Sequence, residues 1–126
     1  MATIDNSATF HNQPLVELNS TYECSSTASG TVIQMVDVKS GFRVTEVFLA
    51  FDDLGTGNTA SVGDGESATR FLSAVDTATA AGTATWAPAD STGYVYTDDD
   101  TVDVTINSAS ATGSIRLRVR GYFDFG

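Results

Sequence analysis

The stretches Thr101-Val-Asp-Val-Thr-Ile106 and Ile115-Arg-Leu-Arg-Val-Arg120 decide the fold of this chain. In both, apolar and polar residues alternate, and successive side chains of a β-strand point to opposite faces of the sheet. Each stretch therefore predicts a strand with one apolar and one polar face, as in the wall of a sandwich or barrel. We expect the two strands to pair across the loop 107–113, so that Asp103 lies opposite Arg118.

Short strand-like runs separated by turns continue this pattern upstream. The run Phe42 to Phe51 is apolar on both faces, which is typical of a central strand. Its alternation assigns Val47, Leu49 and Phe51 to one face and Val44, Phe48 and Ala50 to the other. No window has a convincing apolar stripe at helical spacing over three turns. About eight short strands at this spacing predict an all-β chain, a single antiparallel β-sandwich of jelly-roll type.

The N-terminal part of the chain has a weaker pattern. Pro14 and the serine-rich cluster 25–29 interrupt it, and only 15–18 and 21–24 resemble strands. We therefore divide the chain into an extended N-terminal arm, residues 1–29, and a β-sandwich domain, residues 30–126. The arm either reaches onto a neighbouring subunit or is a loosely ordered terminus, and the sequence leaves both interpretations open.

Composition narrows the classes of partner. The formal net charge is −10 and the pI is about 4.1, whereas nucleic-acid-binding proteins carry a basic surface. We expect no nucleic-acid partner and no anionic membrane partner. A single cysteine excludes an intramolecular disulfide. The start of the chain, Met1 to Asp5, lacks the features of a signal peptide, so we expect synthesis in a reducing cytoplasm.

Few residues offer catalytic chemistry. The chain has one histidine (His11), one cysteine (Cys24) and one lysine (Lys39), the types on which acid–base and covalent catalysis mostly draw. We interpret His11 as a surface residue and Cys24 as an inert thiol. We therefore expect no enzyme and no cofactor; a small glycan-cleaving enzyme is the weakest alternative.

Acidic turns and aromatic residues are the next candidates. The clusters Asp52-Asp53, Asp64-Gly65-Glu66 and Asp98-Asp-Asp100 contain oxygen ligands for Ca²⁺, but ordinary turns are the favoured interpretation. Three of the aromatic residues, Trp86, Tyr94 and Tyr96, form either a sugar-stacking platform or part of the core. We favour the core, because the chain has few large apolar residues.

An arginine row, Arg116, Arg118 and Arg120, is the unusual feature of this acidic chain. It holds three of the six basic residues, and side chains two residues apart on a strand share a face about 7 Å apart. One interpretation is a solvated face neutralised by cross-strand partners such as Asp103. The other, slightly favoured, is a docking surface, because arginine is enriched at interfaces.

Several turn and strand motifs resemble those of a known group of proteins. They are Gly41-Phe-Arg-Val-Thr-Glu-Val47, Asp52-Asp-Leu-Gly-Thr-Gly57, Val62-Gly-Asp-Gly65 and Asp99-Asp-Thr-Val-Asp-Val-Thr105. The chain is similar, over roughly residues 30–122, to the small all-β head decoration (cement) proteins of tailed bacteriophages. The first thirty residues and the arginine row lie outside this pattern.

The resemblance implies a structural virion protein. Such a protein would bind the outer surface of a phage head, stabilise contacts between major capsid subunits, and form a homo-oligomer, either a dimer or a trimer. It would be made in the host cytoplasm and reside in the virion. The alternative function is a carbohydrate- or receptor-binding β-sandwich on the virion surface, a fibre or adhesin in which Trp86, Tyr94 and Tyr96 line a groove.

Overall fold

The computed structural model describes residues 15–88 and 92–123, which contain nine β-strands and no helix. The predictions for residues 1–14, including His11, lie outside the described residues. In chain order the strands are β1 (Val16–Thr27), β2 (Val32–Val38), β3 (Phe42–Phe51), β4 (Thr59–Gly63), β5 (Leu72–Asp76), β6 (Gly82–Trp86), β7 (Tyr94–Val95), β8 (Asp100–Asn107) and β9 (Ala111–Phe123).

The strands form two antiparallel sheets, which we call the β9 sheet and the β8 sheet. The β9 sheet has the order β1-β9-β3-β6, with the short β7 also paired to β3, and the β8 sheet has the order β2-β8-β4-β5. Apart from the β4–β5 hairpin and the short β7, the chain changes sheet from each strand to the next. This is the topology of a jelly roll, so the predicted all-β antiparallel sandwich is confirmed.

The alternation that predicts β8 and β9 also places their side chains. The inward residues of both strands are fully buried and form the centre of the core, where burial of apolar surface supplies most of the driving force for folding. They are Val102, Val104 and Ile106 on β8 and Ile115, Leu117 and Val119 on β9.

The predicted pairing of these two strands is wrong. Asp103 lies opposite Gln34 and Gly63 in the β8 sheet, whereas Arg118 lies opposite Asn19 and Phe48 in the β9 sheet. The connection between β8 and β9 crosses from one sheet to the other. Alternation gives the same apolar face to two strands that pair side by side and to two strands that face each other across a core.

A β-bulge in β3 reverses the face that the alternation assigns to Val44. The pairing of β3 with β9 shifts register between Val44 and Glu46, because the extra residue of a bulge turns the following side chains to the other face. Val44 consequently points inward with Val47, and both are fully buried, while Phe48 stays on the outer face. The strand lies between β9 and β6, the interior position that its apolar residues predict.

The first strand belongs to the sandwich. β1 pairs with β9 from Val16 to Thr27, so the β9 sheet begins inside the segment 1–29 that the sequence assigns to an arm. The apolar pattern of β1 is weak because it is an edge strand, and its inward residues Val16 and Leu18 are only half-buried. An edge strand needs less apolar surface than a central one.

Candidate functional site

The acidic turns use their carboxylates as internal hydrogen-bond acceptors. Asp52 accepts from the backbone N–H of Ser114 at 2.8 Å, and Asp99 accepts from that of Ser40 at 2.9 Å. Within 15–88 and 92–123, no three His, Cys, Asp or Glu side chains come together as a metal site. Asp53 bonds within its own turn, where its Oδ1 accepts from the Gly55 N–H at 3.1 Å, as Asp side chains commonly do in turns.

One acidic turn contains a buried ion pair, which we call the Asp64 brace (Asp64, Arg70 and Tyr96). The Nε–H of Arg70 donates to Asp64 Oδ2 at 2.5 Å, and the hydroxyl of Tyr96 donates to the same oxygen at 2.8 Å. The backbone N–H groups of Glu66 and Ser67 donate to Oδ1 at 3.0 and 2.9 Å. The brace therefore ties the 64–71 loop to the segment after β7.

The ionisation of the brace follows from these contacts. Burial alone would raise the pKa of Asp64, but the hydrogen bonds from Arg70, Ser67, Tyr96 and Glu66 lower it below its ordinary value. The pKa of Tyr96 is raised, first by burial and then by its bond to the Asp64 carboxylate. The carboxylate stays ionised and the phenol stays neutral at neutral pH.

The candidate aromatic platform is a packed cluster. Phe71 meets Trp86 edge to face at 4.7 Å between ring centroids, and Tyr94 meets Tyr96 in the same way at 4.9 Å. The Arg70 guanidinium lies over the Tyr94 ring at 4.1 Å, a cation–π contact. These rings pack on one another and on the brace, the arrangement typical of core aromatic residues.

The arginine row lies on the outer face of the β9 sheet, and two of its members are already paired. Arg118 Nη2 is 3.6 Å from Glu46 Oε1, and its Nε is 3.3 Å from Glu17 Oε1 without the alignment of a hydrogen bond. Arg120 contacts the same two carboxylates at 3.3 and 3.9 Å. The Arg118 guanidinium also lies 4.5 Å above the Phe48 ring.

The environment of Arg116 differs. Its cross-strand neighbours are Thr21 on β1 and Ala50 on β3, and its Nε–H makes only a long 3.4 Å contact to Thr21 Oγ1. Arg116 is exposed, and it forms no ion pair within 4.0 Å with any described residue. It borders an open depression of about 450 Å³ on the outer face.

The partners of the row differ from those expected. Asp103 does not neutralise it, because Asp103 belongs to the other sheet, where it is 5% exposed and accepts a 2.6 Å hydrogen bond from Thr101 Oγ1. Burial raises the pKa of Asp103; the Thr101 bond opposes this, and the nearby Asp100 and Asp64 charges add to it. Glu17 and Glu46 were missed, since no local pattern shows that β1 and β3 flank β9.

Cys24 offers no reactive thiol. Its side chain is 1% exposed, and burial raises its pKa above the ordinary thiol value. A buried thiol of raised pKa carries little thiolate, as the sequence predicts. No helix in the described part of the chain is long and apolar enough to span a membrane.

Comparison with known proteins shows which solved structures share this fold. No protein-family model and no curated protein matches the chain. A chain of the cyanophage Pam1 capsid asymmetric unit has the same fold, with a TM-score of 0.69 and 25% identity over 97% of this chain and 94% of that one.

Two further capsid structures contain a similar chain. The match in the capsid of Ralstonia phage GP4 has a TM-score of 0.68 and 17% identity over 100% and 92% of the two chains. The match in the acidic stable capsid of Helicobacter pylori bacteriophage KHP30 has a TM-score of 0.68 and 19% identity over 86% and 87%. These two matches show the shared fold, and the Pam1 match, at 25% identity, supports a structural protein of the virion. The motif resemblance is thus confirmed at this level: the chain is a phage capsid-related all-β protein.

Proposed function

We propose that the protein is a head decoration, or cement, protein that binds the outer surface of a phage capsid and stabilises contacts between major capsid subunits. The observation that carries this proposal is the Pam1 match, which spans 97% of this chain and 94% of a capsid chain. The matched Pam1 chain is therefore also a small jelly roll, of nearly the same size as this one. The role is structural and non-enzymatic.

The physical properties of the molecule suit this role. A protein that binds the assembled lattice but not free subunits stabilises the lattice by mass action. A sandwich with short connections is a rigid body, so it loses little conformational entropy when it docks. The net charge of −10 keeps free copies apart before docking and away from DNA, and we propose neither a nucleic-acid nor a membrane partner.

The outer face of the β9 sheet is the proposed docking surface, with the arginine row (Arg116, Arg118 and Arg120) at its centre. Ion pairs this exposed contribute only about 0–1 kcal/mol to folding, so the fold has little need of them. Self-association, as a dimer or trimer, is proposed through the edge strand β1. Leu15, directly before β1, is 65% exposed and Tyr22, within it, is 42% exposed. The exposed edge of a sheet can pair with another chain.

The test is binding to expanded empty heads of the phage that encodes the protein. Increasing amounts of purified protein are mixed with heads, and bound protein is measured after sedimentation. We expect saturation at a fixed ratio to the major capsid protein, and heads that resist heat better when saturated. An absence of saturable binding, together with glycan binding that is lost in Trp86→Ala, would favour the carbohydrate- or receptor-binding alternative.

A further inference from the structure

The three arginines of the row differ in how much of their charge is available to a partner. Arg118 and Arg120 share Glu17 on one side and Glu46 on the other, so a new carboxylate would have to displace an existing one. Arg116 has threonine and alanine as its cross-strand neighbours. A new carboxylate at Arg116 would displace no ion-pair partner among the described residues.

Two acidic side chains, Glu23 and Asp52, bond to Ser114, two residues before Arg116 on β9. Glu23 lies opposite Ser114 on the neighbouring strand β1, and Asp52 follows the end of β3. Asp52 Oδ2 accepts from the Ser114 N–H, and Glu23 accepts from the Ser114 hydroxyl. Neither forms an ion pair with Arg116.

Small residues leave room beside the Arg116 guanidinium. The residues that line the depression beside Arg116 include Ala50, Gly82, Thr83 and Asp52. At the neighbouring position of β3, the Phe48 ring fills the corresponding space beneath Arg118. Ala50 and the other small lining residues leave this space open, and it lies next to the one arginine of the row that lacks a carboxylate among the described residues.

We propose that Arg116 anchors the docking surface by binding the carboxylate of an Asp or Glu on an extended segment of the major capsid protein. This rests on the proposed function. A guanidinium presents a planar set of donors that matches a carboxylate. The segment lies along the depression with its acidic side chain on Arg116.

Asp52, the other charged residue of the depression, favours a polypeptide over a small anion as the partner. Asp52 is exposed and lines the same depression as Arg116, and its Oδ2 accepts from the Ser114 N–H. A free anion would meet its repulsion, whereas an extended polypeptide brings both a carboxylate for Arg116 and a backbone N–H for Asp52. The overall charge of −10 also disfavours DNA, whose binding depends on neutralising many phosphates.

Charge-matched variants on empty heads test the proposal. Arg116→Gln removes the anchor, Arg116→Lys keeps the charge but loses the planar donor set, and Lys39→Gln removes one positive charge from an exposed site on the β2–β3 turn. Affinity for empty heads is measured at two salt concentrations, with the melting temperature of each variant as a control for folding. A DNA duplex is the second probe.

We expect Arg116→Gln to weaken binding roughly 10- to 100-fold, as for a lost charged hydrogen bond at an interface. Arg116→Lys should be intermediate, Lys39→Gln should bind like the wild type, and high salt should reduce the difference. Wild-type affinity in Arg116→Gln, equal losses in Arg116→Gln and Lys39→Gln, or Arg116-dependent binding to the DNA probe would overturn the inference. If the wild type itself does not saturate heads, the proposed function fails, and the inference fails with it.

Discussion

The Asp64–Arg70 and Glu46–Arg118 pairs join the same chemical groups in different surroundings. The side chains of Asp64 and Arg70 are 1% and 23% exposed with 2.5 Å between nitrogen and oxygen, while those of Glu46 and Arg118 are 32% and 31% exposed with 3.6 Å between them. Asp64 has four hydrogen-bond donors around its two oxygens. Glu46 has arginines alone as its ion-pair partners among the described residues.

The comparison separates the part of the molecule that holds the fold from the part that is available for recognition. Breaking a buried ion pair leaves an uncompensated charge and costs about 3–5 kcal/mol. Breaking an exposed pair costs about 0–1 kcal/mol, because water replaces the partner. Charges on the outer face of the β9 sheet can therefore exchange partners on docking without endangering the fold.

The largest expected effect comes from the brace. In Asp64→Asn an amide replaces the carboxylate, so Arg70 loses its buried counter-charge and the donors around Asp64 compete for one oxygen. We expect a loss of about 3 kcal/mol in the free energy of unfolding, measured by urea denaturation. The control is Glu66→Gln, because Glu66 is 74% exposed and 3.8 Å from Arg70. A loss of less than about 1 kcal/mol in Asp64→Asn would show that the brace does not hold the loop.

The Asp64 brace also predicts that the free energy of unfolding depends on pH. The pKa of Asp64 is lower in the folded than in the unfolded chain, so its contribution is present above the unfolded value of about 3.9 and is lost as pH falls through the folded value. The stability difference between wild type and Asp64→Asn should shrink when unfolding is measured below about pH 4. A difference that does not change with pH would contradict ionisation of Asp64 as its source.

Asp103 should give the opposite dependence of stability on pH, with a smaller effect on the free energy of unfolding. Its pKa is raised in the folded protein, so the stabilisation from its protonated form is present below about pH 3.9 and is lost as pH rises through the folded value. Asp103→Asn keeps an acceptor for Thr101 and removes the charge. We expect it to stabilise the protein at pH 7 by on the order of 1 kcal/mol, and to have little effect in acid. Destabilisation at pH 7 would show that the charge has a favourable partner.

The smallest effects should appear within the arginine row. Arg118→Gln removes two ion pairs and the contact with Phe48, for an expected loss of about 1 kcal/mol. Arg116→Gln removes a single long contact, so its melting temperature should stay within experimental error of the wild type. Thermal denaturation of both variants, side by side, measures the difference. Equal losses would show that Arg116 has a structural partner after all.

The candidate site could be predicted only in part from the sequence. The alternation in 115–120 shows that three arginines share a face, because the two-residue period of a strand is a property of the local backbone. It does not show which residues flank that face. Glu17 and Glu46 lie far from β9 in the chain, and a β3 bulge decides which side chains share its outer face.

The sequence by itself determined which residues of β8 and β9 enter the core and that the chain is an antiparallel all-β sandwich, since steric alternation and turn chemistry act over a few residues. Tertiary structure alone decided that β8 and β9 lie in opposite sheets, that Asp103 is buried away from the arginine row, and that Arg116 has no carboxylate partner within residues 15–88 and 92–123. The physical reason is that strand pairing is a choice among long-range arrangements. Many of these bury the same apolar faces, and they differ only in the neighbours that they bring together.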